Sequence, residues 1–502
     1  MAHIVVMGGG IAGLATALFL ARGAHDVTLF EQDATEPSGG LDEDFFGRAR
    51  PRVPQAVQPH ALLGPARSVL RTRTPDVYAH LLRLGAWEQH EFDWFTAHPP
   101  YRPGDEDLVL VRLRRVVLET AMRAAVHADR NVRVETGTTV HGLVVGPGGG
   151  RVPRVTGVCL SAGQFAADLV VDATGRRSPV ATWLARAGTR TPRTRTHRVG
   201  LAYACRWYRA RPGAMTRARL PHVPYTSAAP YALSIAFPSD NGLLGVALVC
   251  PVDDPTLPAL RDPRTFDGLA RLFPSSGAWL ADDPQPVGEV HVMAGLDNRW
   301  SPTADDAGPV VTGLVRVGDA LVHTNPTLTQ GISLALWAAE RVAETAHHAT
   351  RHEEFAVSYD RWAHTVLKPW FDLQVAADKD NERRLSGTVG APMDEEARHK
   401  AARFPCALED PLVMRAWAQA RHMVRRPEEA FGSEDVRLRV KRWLKDRTDA
   451  LQPPAGPPRG AWESVVAARA ATDPGAEPYR RHARRAAPGG AALRAWGEGQ
   501  TA

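Results

Sequence analysis

Cysteine is scarce in this 502-residue sequence, with only Cys159, Cys205, Cys250 and Cys406. No two of them have the close spacing of a zinc site or a redox pair, so the sequence predicts free thiols, no metal site and a cytoplasmic location. Runs of 18 or more apolar residues are absent, and no basic segment precedes the apolar N-terminus. We therefore expect neither a membrane span nor a signal peptide.

Lysine is also scarce, because only five of the 61 basic residues are lysines and the others are arginines. Together with 40 prolines and 43 glycines, this bias is typical of a GC-rich coding sequence. The formal charge of +6 is therefore weak evidence for a nucleic-acid partner, and none is expected. The composition, with 44% hydrophobic and 23% charged residues, is that of a globular protein, and the length predicts two to four structural units.

The N-terminal residues follow a strand, turn, helix and strand pattern. Residues 4–7 are a β-branched apolar run, Leu14, Leu18 and Ala21 recur at helical spacing, and residues 27–30 are again apolar. This pattern predicts a βαβ unit with two parallel strands. Later apolar runs at residues 169–171 and 310–317 predict further buried strands of the same sheet.

The composition changes from about residue 189 to residue 300. Strand-like segments there are separated by turns rich in proline and aspartate, which indicates a second domain inserted into the first. Beyond residue 346 the pattern is mostly helical. Beyond about residue 451 it becomes proline, glycine, alanine and arginine with little periodicity, which predicts a loosely ordered tail.

The turn after the first strand matches the motif G-x-G-x-x-G. Gly8 permits the tight turn, Gly10 lets backbone N–H groups approach a pyrophosphate at the helix N-terminus, and Gly13 allows close packing of helix on strand. Glu31 ends the second strand and can accept hydrogen bonds from a ribose diol. The segment therefore predicts a dinucleotide site, for which NAD and FAD are both candidates.

A second segment has the features expected where the other half of the same dinucleotide cofactor binds. Gly318 and Asp319 end a predicted buried strand, and the sequence N-P-T-L-T-Q-G at residues 325–331 opens a predicted helix. The carboxylate of Asp319 can hydrogen-bond polyol hydroxyls, and the helix dipole can face a developing negative charge.

These motifs together resemble those of the FAD-dependent monooxygenase superfamily, which includes aromatic hydroxylases and squalene-epoxidase-like epoxidases. The resemblance covers about residues 1–345. It implies that Glu31 holds the adenosine ribose, Asp319 the ribityl or pyrophosphate part, and the backbone around Gln330 the pyrimidine edge of the flavin. Arg115 is similar to the arginine of the family's R-x-x-L-E helix start, which contacts FAD, and Arg114 is an alternative. The cofactor-binding set implied is Gly8, Gly10, Ile11, Ala12, Gly13, Glu31, Gln32, Arg115, Val140, Asp172, Gly318, Asp319, Gln330, Gly331 and Ile332.

Two positions differ from common family patterns. Residues 172–178, Asp-Ala-Thr-Gly-Arg-Arg-Ser, are closer to the variant in epoxidase-like and two-component members. The electron donor is thus NADPH or NADH, acting either directly or through a partner flavin reductase. Thr329 stands where epoxidase-type relatives often have glycine, which bears on the shape of the substrate.

Residues 53–63 are similar to a V-P-Q-x-x-x-x-H-x-L-L stretch that runs near the flavin in relatives, although structural capping by Gln55 and His60 is an equal alternative. Halogenases of this fold need a lysine in the first domain, and the first lysine here is Lys368, so halogenation is not expected. No certain catalytic residue is assigned, because the flavin carries the chemistry. The candidates for the substrate pocket are His60, Tyr203, Trp207, Tyr231, Asn325 and Pro326.

The predicted fold class is α/β, with a Rossmann-like FAD-binding domain, an inserted mixed β-sheet substrate domain and a helical C-terminal region. The predicted bounds are 1–185 for the first part of the FAD-binding domain, with residues 60–105 on the substrate side, 186–304 for the substrate domain, 305–345 for the return segment, 346–450 for the helical region and 451–502 for the tail.

The predicted function is insertion of one oxygen atom from O₂, through a flavin C4a-hydroperoxide, into an aromatic or polyene intermediate of specialised metabolism, by epoxidation or hydroxylation. A FAD-dependent C=C reductase or dehydrogenase, or a scaffold with structural FAD, are alternatives. A monomer or a homodimer is expected.

Overall fold

A computed structural model describes residues 2–34, 37–50, 52–95, 98–148, 152–213, 225–348, 352–385, 394–445, 447 and 456–472. The strands are β1 (His3–Met7), β2 (Asp26–Phe30), β3 (Ala61–Leu62), β4 (Trp87–His90), β5 (Val109–Arg112), β6 (Val132–Glu135), β7 (Gly142–Gly146), β8 (Arg154–Leu160), β9 (Gly163–Ala166), β10 (Leu169–Asp172), β11 (Arg195–His197), β12 (Leu201–Arg209), β13 (Thr226–Ala229), β14 (Ala232–Pro238), β15 (Leu243–Pro251), β16 (Gln285–Ala294), β17 (Asn298–Trp300), β18 (Ala304–Asp305), β19 (Gly308–Pro309), β20 (Leu314–Arg316) and β21 (Val322–His323).

The helices are α1 (Ile11–Arg22), α2 (Gly64–Arg73), α3 (Pro75–Arg83), α4 (Arg115–Ala128), α5 (Val180–Arg186), α6 (Pro263–Arg271), α7 (Pro274–Leu280), α8 (Gly331–Thr345), α9 (His352–Val366), α10 (Lys368–Leu385), α11 (Glu395–Ala407), α12 (Pro411–Arg421), α13 (Pro427–Ala430), α14 (Glu434–Lys445) and α15 (Arg459–Thr472). Among the described residues, no helix combines the length and the hydropathy that crossing a bilayer requires.

The first sheet is parallel, with strand order β20-β10-β1-β2-β6. Its central strands are apolar and buried on both faces, because helices such as α1 and α8 cover one face and the strands β7, β8 and β9, together with α5, cover the other. The predicted pairing of β1 with β2 is confirmed. Residues 132–145, whose pattern predicts one strand, instead form two, since Gly137 turns the chain at φ +67° and β7 joins a separate antiparallel sheet with β8 and β9.

The second sheet has strand order β13-β14-β15-β12-β16. Every pairing in it is antiparallel, where the sequence predicts a mixed sheet. Short turns such as residues 239–242 impose this arrangement on β13, β14 and β15. One face packs on α6, α7 and α15, and we call it the outer face. The opposite, inner face is turned toward residues 55–60 and residue 325 of the first domain, through Trp207 and Tyr203 respectively.

The segment 456–472 is not loosely ordered, which corrects part of the predicted tail. Its helix α15 places Trp462 in the core of the outer face, where the indole is fully buried and donates to Thr256. Arg459 adds an ion pair with Asp254 at 2.6 Å. One large aromatic side chain supplies enough buried area to anchor a helix whose sequence has weak periodicity. Residues 473–502 lie outside the described residues.

The buried carboxylate of Glu91 links the C-terminal helices to the first domain. Glu91, which follows β4, accepts hydrogen bonds from His422 at 2.5 Å and from Arg421 at 3.3 Å. Burial raises the pKa of Glu91, but the opposing effect of Arg421 and His422 is larger and holds it at about 2. The ionised carboxylate therefore stabilises the fold above its ordinary pKa.

We expect the stability supplied by Glu91 to be complete above about pH 4.5 and to be lost as the pH falls toward 2. Glu91→Gln leaves His422 and Arg421 without their buried anion, and should lower the free energy of unfolding at pH 7 by about 3 kcal/mol. Thermal unfolding from pH 7 to pH 3 measures this, and the variant should show the smaller loss with falling pH. Glu344→Gln, which breaks a surface pair with Arg73, is the control and should cost less than about 1 kcal/mol.

Candidate cofactor and substrate site

The glycine turn between β1 and α1 has the geometry that its motif predicts. Gly8 adopts φ +102°, where a side chain is strained, and a Cβ at Gly13 would lie 1.8 Å from the carbonyl oxygen of Gly8. Both glycines are therefore required for the turn and for helix packing. Gly10 differs, because a Cβ there would meet nothing nearer than a guanidinium nitrogen of Arg115 at 3.9 Å. The space in front of Gly10 is open to a ligand.

Glu31 lies against this turn at the carboxyl end of β2. Its Oε2 accepts from the backbone N–H of Gly9 at 2.6 Å, and its Oε1 accepts from Asp33 N–H at 2.8 Å. Each carboxylate oxygen retains a further lone pair for a ligand hydroxyl. The neighbouring Gln32 is exposed and accepts from Arg52, and Val140, which is half-buried, packs near the end of the same strand.

Four arginines surround Glu119 in a small cleft beside the glycine turn: Arg48, Arg50, Arg115 and Arg123. Arg115 donates to Glu119 at 2.7 Å, Arg50 also pairs with Glu119, and Arg123 donates to the carbonyl of Gly9 at 3.1 Å. Burial raises the pKa of Glu119, but the arginines outweigh this and hold it at about 2. The lining holds four guanidinium groups and the two carboxylates of Asp44 and Glu119, so the cleft keeps a positive excess that favours an anionic ligand.

Arg114 has a different environment from Arg115. Its side chain is fully buried and donates to Asp240 at 2.8 and 2.9 Å and to Asp42 at 2.7 Å, while its backbone N–H donates to Asp240 at 2.6 Å. Its guanidinium joins the first domain to the turn between β14 and β15. Arg114 is therefore not the alternative cofactor contact that the sequence allows, and Arg115 is the arginine beside the glycine turn.

The segment around Gly318 also lies beside the glycine turn and the start of α1. A Cβ at Gly318 would lie 2.6 Å from the Cβ of Ala12, so this residue packs directly on the start of α1. Asp319 follows it and is half-buried. Asp172 lies at the end of the neighbouring strand β10 and is fully buried. Its carboxylate accepts hydrogen bonds from the hydroxyls of Thr174 and Ser178, and so stabilises the loop 173–178.

The N-terminus of α8 carries buried polar atoms without partners. Within the described parts of the chain, Thr324 Oγ1, Gln330 Oε1 and Ser333 Oγ make no hydrogen bond. A Cβ at Gly331 would meet only Thr324 Oγ1, at 3.9 Å, so the helix start is open in front of these atoms. Such orphaned groups are costly unless a ligand satisfies them. Ile332, next in the helix, is half-buried on the side of α1 and α4.

The buried carboxylate of Asp378, which the sequence analysis missed, stabilises the conformation of residues 325–329. Asp378 on α10 accepts from Asn325, Thr327 and Gln374 at 3.0–3.1 Å, and burial raises its pKa. Asn325 also accepts from Tyr203, so both of these pocket candidates lie in an interior network, and Pro326 is exposed. Thr329 adopts φ +61°, the left-handed conformation in which glycine is favoured.

His60 lies beside the arginine cleft, close to Arg115. Its Nδ1 is 2.8 Å from the carbonyl oxygen of Gln58, and burial together with the charge of Arg115 lowers its pKa to about 4. The imidazole is therefore neutral at pH 7 and close to the arginine cleft. This supports the predicted position of residues 53–63 beside the cofactor.

The aromatic candidates of the second sheet divide between its two faces. Trp207 is on the inner face, donates to the carbonyl of Val57 at 2.8 Å and packs edge-on against Phe45 of the cleft. Tyr231 packs against Trp462 and donates to Pro457 on the opposite side, so its prediction as a pocket residue is wrong. Alternating strand patterns show that two faces exist, but not which one receives the substrate.

These features fit FAD. The arginine cleft suits its diphosphate, Glu31 and Asp319 suit its hydroxyl groups, and the unpaired atoms at α8 suit the polar edge of its ring. The residues that would hold it come from three separated segments that β1, β10 and β20 bring to one edge of the parallel sheet.

We expect Thr324→Val to stabilise the protein without cofactor and to weaken its binding of FAD by about fivefold, because valine removes a buried hydroxyl that only the ligand can satisfy. Thermal unfolding of the apoprotein and fluorescence titration with FAD measure the two effects. Thr312→Val is the matched control, since Thr312 is equally buried but donates to Pro153 far from this helix. It should destabilise the apoprotein slightly and leave FAD affinity unchanged.

Comparisons with known proteins agree with this geometry. Residues 3–40 match the family of FAD dependent oxidoreductases. The chain is 28% identical over 500 residues to Protein Rv3254 of Mycobacterium tuberculosis, with 90% of this chain and 96% of that protein covered.

Among solved structures, PqsL of Pseudomonas aeruginosa, described as a probable FAD-dependent monooxygenase, matches 77% of this chain and 99% of its own with a TM-score of 0.56 and 16% identity. An oxygenase of 2-methyl-3-hydroxypyridine-5-carboxylic acid matches 79% of this chain and 95% of its own, with a TM-score of 0.53 and 15% identity. The flavin-dependent halogenase CmlS matches 94% of this chain and 77% of its own, with a TM-score of 0.51 and 16% identity. This chain therefore has the fold seen in these FAD-dependent monooxygenases, and residues 3–40 match the family of FAD dependent oxidoreductases.

Proposed function

We propose that this protein is a FAD-dependent monooxygenase that inserts one oxygen atom of O₂ into an aromatic or alkene compound. The observation that carries the proposal is the set of buried polar atoms at the start of α8 that have no partner among the described residues, taken together with the arginine cleft beside the glycine turn. A ligand with a diphosphate at one end and a polar-edged ring at the other satisfies both. The match to monooxygenases of the same fold supports this reaction over others that FAD carries out.

Bound FAD supplies the activation of O₂, and the residues of this chain supply binding, orientation and shelter from water. Arg115 and Arg123 would bind the diphosphate, Glu31 and Asp319 would accept from the sugar and polyol hydroxyls, and Gln330 and the N–H groups of α8 would bind the polar edge of the ring. Residues 55–60 close the site against the second sheet through the bond from Trp207 to Val57. His60 stays unprotonated there, so it adds no positive charge to a site already rich in arginine.

The electron donor in this proposal is NADPH or NADH, either directly or by way of a separate flavin reductase. Halogenation is disfavoured, because the first lysine, Lys368, is paired with Asp372 on α10 and lies outside the site segments. A C=C reductase on the same fold would use FAD without consuming oxygen.

Oxygen labelling separates these reactions. Purified FAD-loaded protein is reduced photochemically, mixed with a panel of aromatic and alkene compounds and exposed to ¹⁸O₂, and the products are analysed by mass spectrometry. We expect one ¹⁸O atom per product molecule. A reduced product without label would show instead that the protein is a reductase, and substrate conversion that persists with an irreducible flavin analogue would make FAD structural.

A further inference from the structure

Asp378 is a buried carboxylate that the proposed reaction does not use. Its side chain, on α10, is fully buried, and its hydrogen bonds all come from neutral groups. Its Oδ1 accepts from Asn325 at 3.0 Å, from Thr327 at 3.1 Å and from Gln374 at 3.0 Å. Its Oδ2 accepts from Asn298 at 2.7 Å. Among the described residues no lysine or arginine pairs with it, so these four hydrogen bonds must offset the loss of its hydration.

Asn298 connects this carboxylate to the backbone of the loop that precedes α8. Its amide nitrogen donates to Asp378, and its amide oxygen accepts from the backbone N–H of Asn325 at 2.6 Å. The reverse orientation of the amide would place two donors against each other at Asn325 and two acceptors against each other at Asp378. The ionised form of Asp378 therefore fixes the amide of Asn298 and, through it, the start of the loop 325–329.

A proton on Asp378 disrupts this arrangement. Because Oδ1 already accepts three hydrogen bonds, the proton is placed on Oδ2, which then becomes a donor in a group of donors. The amide oxygen of Asn298 can accept from it only if that amide turns over, and the N–H of Asn325 then loses its acceptor. The neutral acid therefore leaves the start of the loop less firmly held than the carboxylate does.

The same loop is strained and leads directly to the proposed flavin site. Thr329 adopts φ +61°, a conformation that persists only where the surroundings enforce it, and Asp378 holds the loop on the side of α10. Thr324 and Gln330, which carry buried polar atoms without a partner among the described residues, lie at the two ends of the loop. Relaxation of the loop would therefore displace groups that suit the edge of the flavin ring.

We propose that Asp378 is a positioning residue for FAD: its ionised carboxylate holds the loop 325–329 in the conformation that binds the flavin ring, so FAD binding is coupled to loss of a proton from Asp378. Burial raises the pKa of this carboxyl group, against the opposing effect of its hydrogen bonds and of His197. FAD affinity should be constant above that pKa and fall as the pH decreases through it. By reciprocity, FAD binding should release a proton. The inference rests on the proposed function, because it requires FAD in front of α8.

Other titratable groups face this network from the elements packed around it: His197 on β11, Tyr203 on β12, Asp297 before β17, His323 on β21 and Asp360 on α9. On α10 itself, the adjacent Lys379 is exposed. Burial raises the pKa of Tyr203, which therefore stays neutral. Histidine is the residue type whose charge changes near neutral pH, so the test must separate the two histidines from Asp378.

The test is fluorescence titration with FAD at pH values from 8 to 4. We expect wild-type affinity to fall by about tenfold at the lower end, the difference between a charged and a neutral hydrogen bond. Asp378→Asn resembles the neutral acid, since its amide nitrogen is a donor, and should bind FAD about tenfold more weakly at pH 8 with little further loss at pH 4. His197→Gln and His323→Gln should keep the wild-type pH dependence.

Asp360→Asn is the matched control. Burial also raises the pKa of Asp360, but this carboxylate pairs with His364 on α9. The variant should therefore bind FAD as the wild type does at every pH.

Calorimetric titration of the wild type with FAD, in two buffers of different ionisation enthalpy, gives a second readout. We expect net proton release at the pH where the affinity changes, and this measurement decides the matter even if Asp378→Asn does not fold. Wild-type affinity that is independent of pH overturns the inference, as does a pH dependence that is equal in Asp378→Asn or lost in a histidine variant. A wild type that binds no FAD at any pH would contradict the proposed function as well, so the two failures are distinguishable.

Discussion

Gly10→Val is expected to lower the affinity for FAD by at least about 100-fold while leaving the protein folded. Gly10 is extended, at φ −76° and ψ −178°, which valine adopts without strain, and its Cβ would enter the open space beside Arg115. That space is where backbone N–H groups must approach the diphosphate. Losing two charge-assisted hydrogen bonds, each about 1.5–3 kcal/mol, gives this reduction.

Fluorescence titration with FAD measures the affinity, and circular dichroism checks the fold. Gly146→Val is the matched control, because Gly146 has equally open surroundings at the end of β7, far from the glycine turn. Full retention of FAD by Gly10→Val would show that the cofactor does not bind across this turn.

Arg114→Leu is expected to lower the free energy of unfolding by about 3–5 kcal/mol, because it leaves the fully buried Asp240 without its cation. The adjacent Arg115→Leu should instead weaken FAD binding and change stability far less. Chemical denaturation and FAD titration of both variants separate the two roles. Arg22→Leu, which breaks a partly exposed pair with Asp76, is the control and should cost less than about 1 kcal/mol.

If Arg114→Leu and Arg22→Leu lost equal stability, the bond from Arg114 to Asp240 would not hold the first domain to the second sheet. If Arg114→Leu instead lost FAD without losing stability, the assignment of the two arginines would have to be exchanged.

The parts of the site that local sequence determines could be predicted. The turn at Gly8 to Gly13 depends on residues that are close in the chain, and the pairing of β1 with β2 follows from a βαβ unit. The distinction between Arg114 and Arg115 could not be predicted, because both stand at one helix start and only the position of Asp240, far along the chain, decides which is buried.

Side chains that depend on long-range packing were the ones missed. Trp207 lies within β12 and Tyr231 in the turn between β13 and β14, and only the contact with Trp462 of α15 shows that Tyr231 packs on the outer face. Asp378 is an isolated polar residue in a helix, with no motif around it. Its role emerges only when α10 places it beside residues 325–327.

The most direct test of the central claim is the reaction of the reduced, FAD-loaded protein with O₂ in a stopped-flow spectrometer, with aromatic and alkene compounds present. A monooxygenase should return to oxidised flavin in two phases, the first with a rate proportional to O₂ concentration and the second independent of it, with little hydrogen peroxide released. A single O₂-dependent phase that yields one hydrogen peroxide per flavin with every compound would contradict the account.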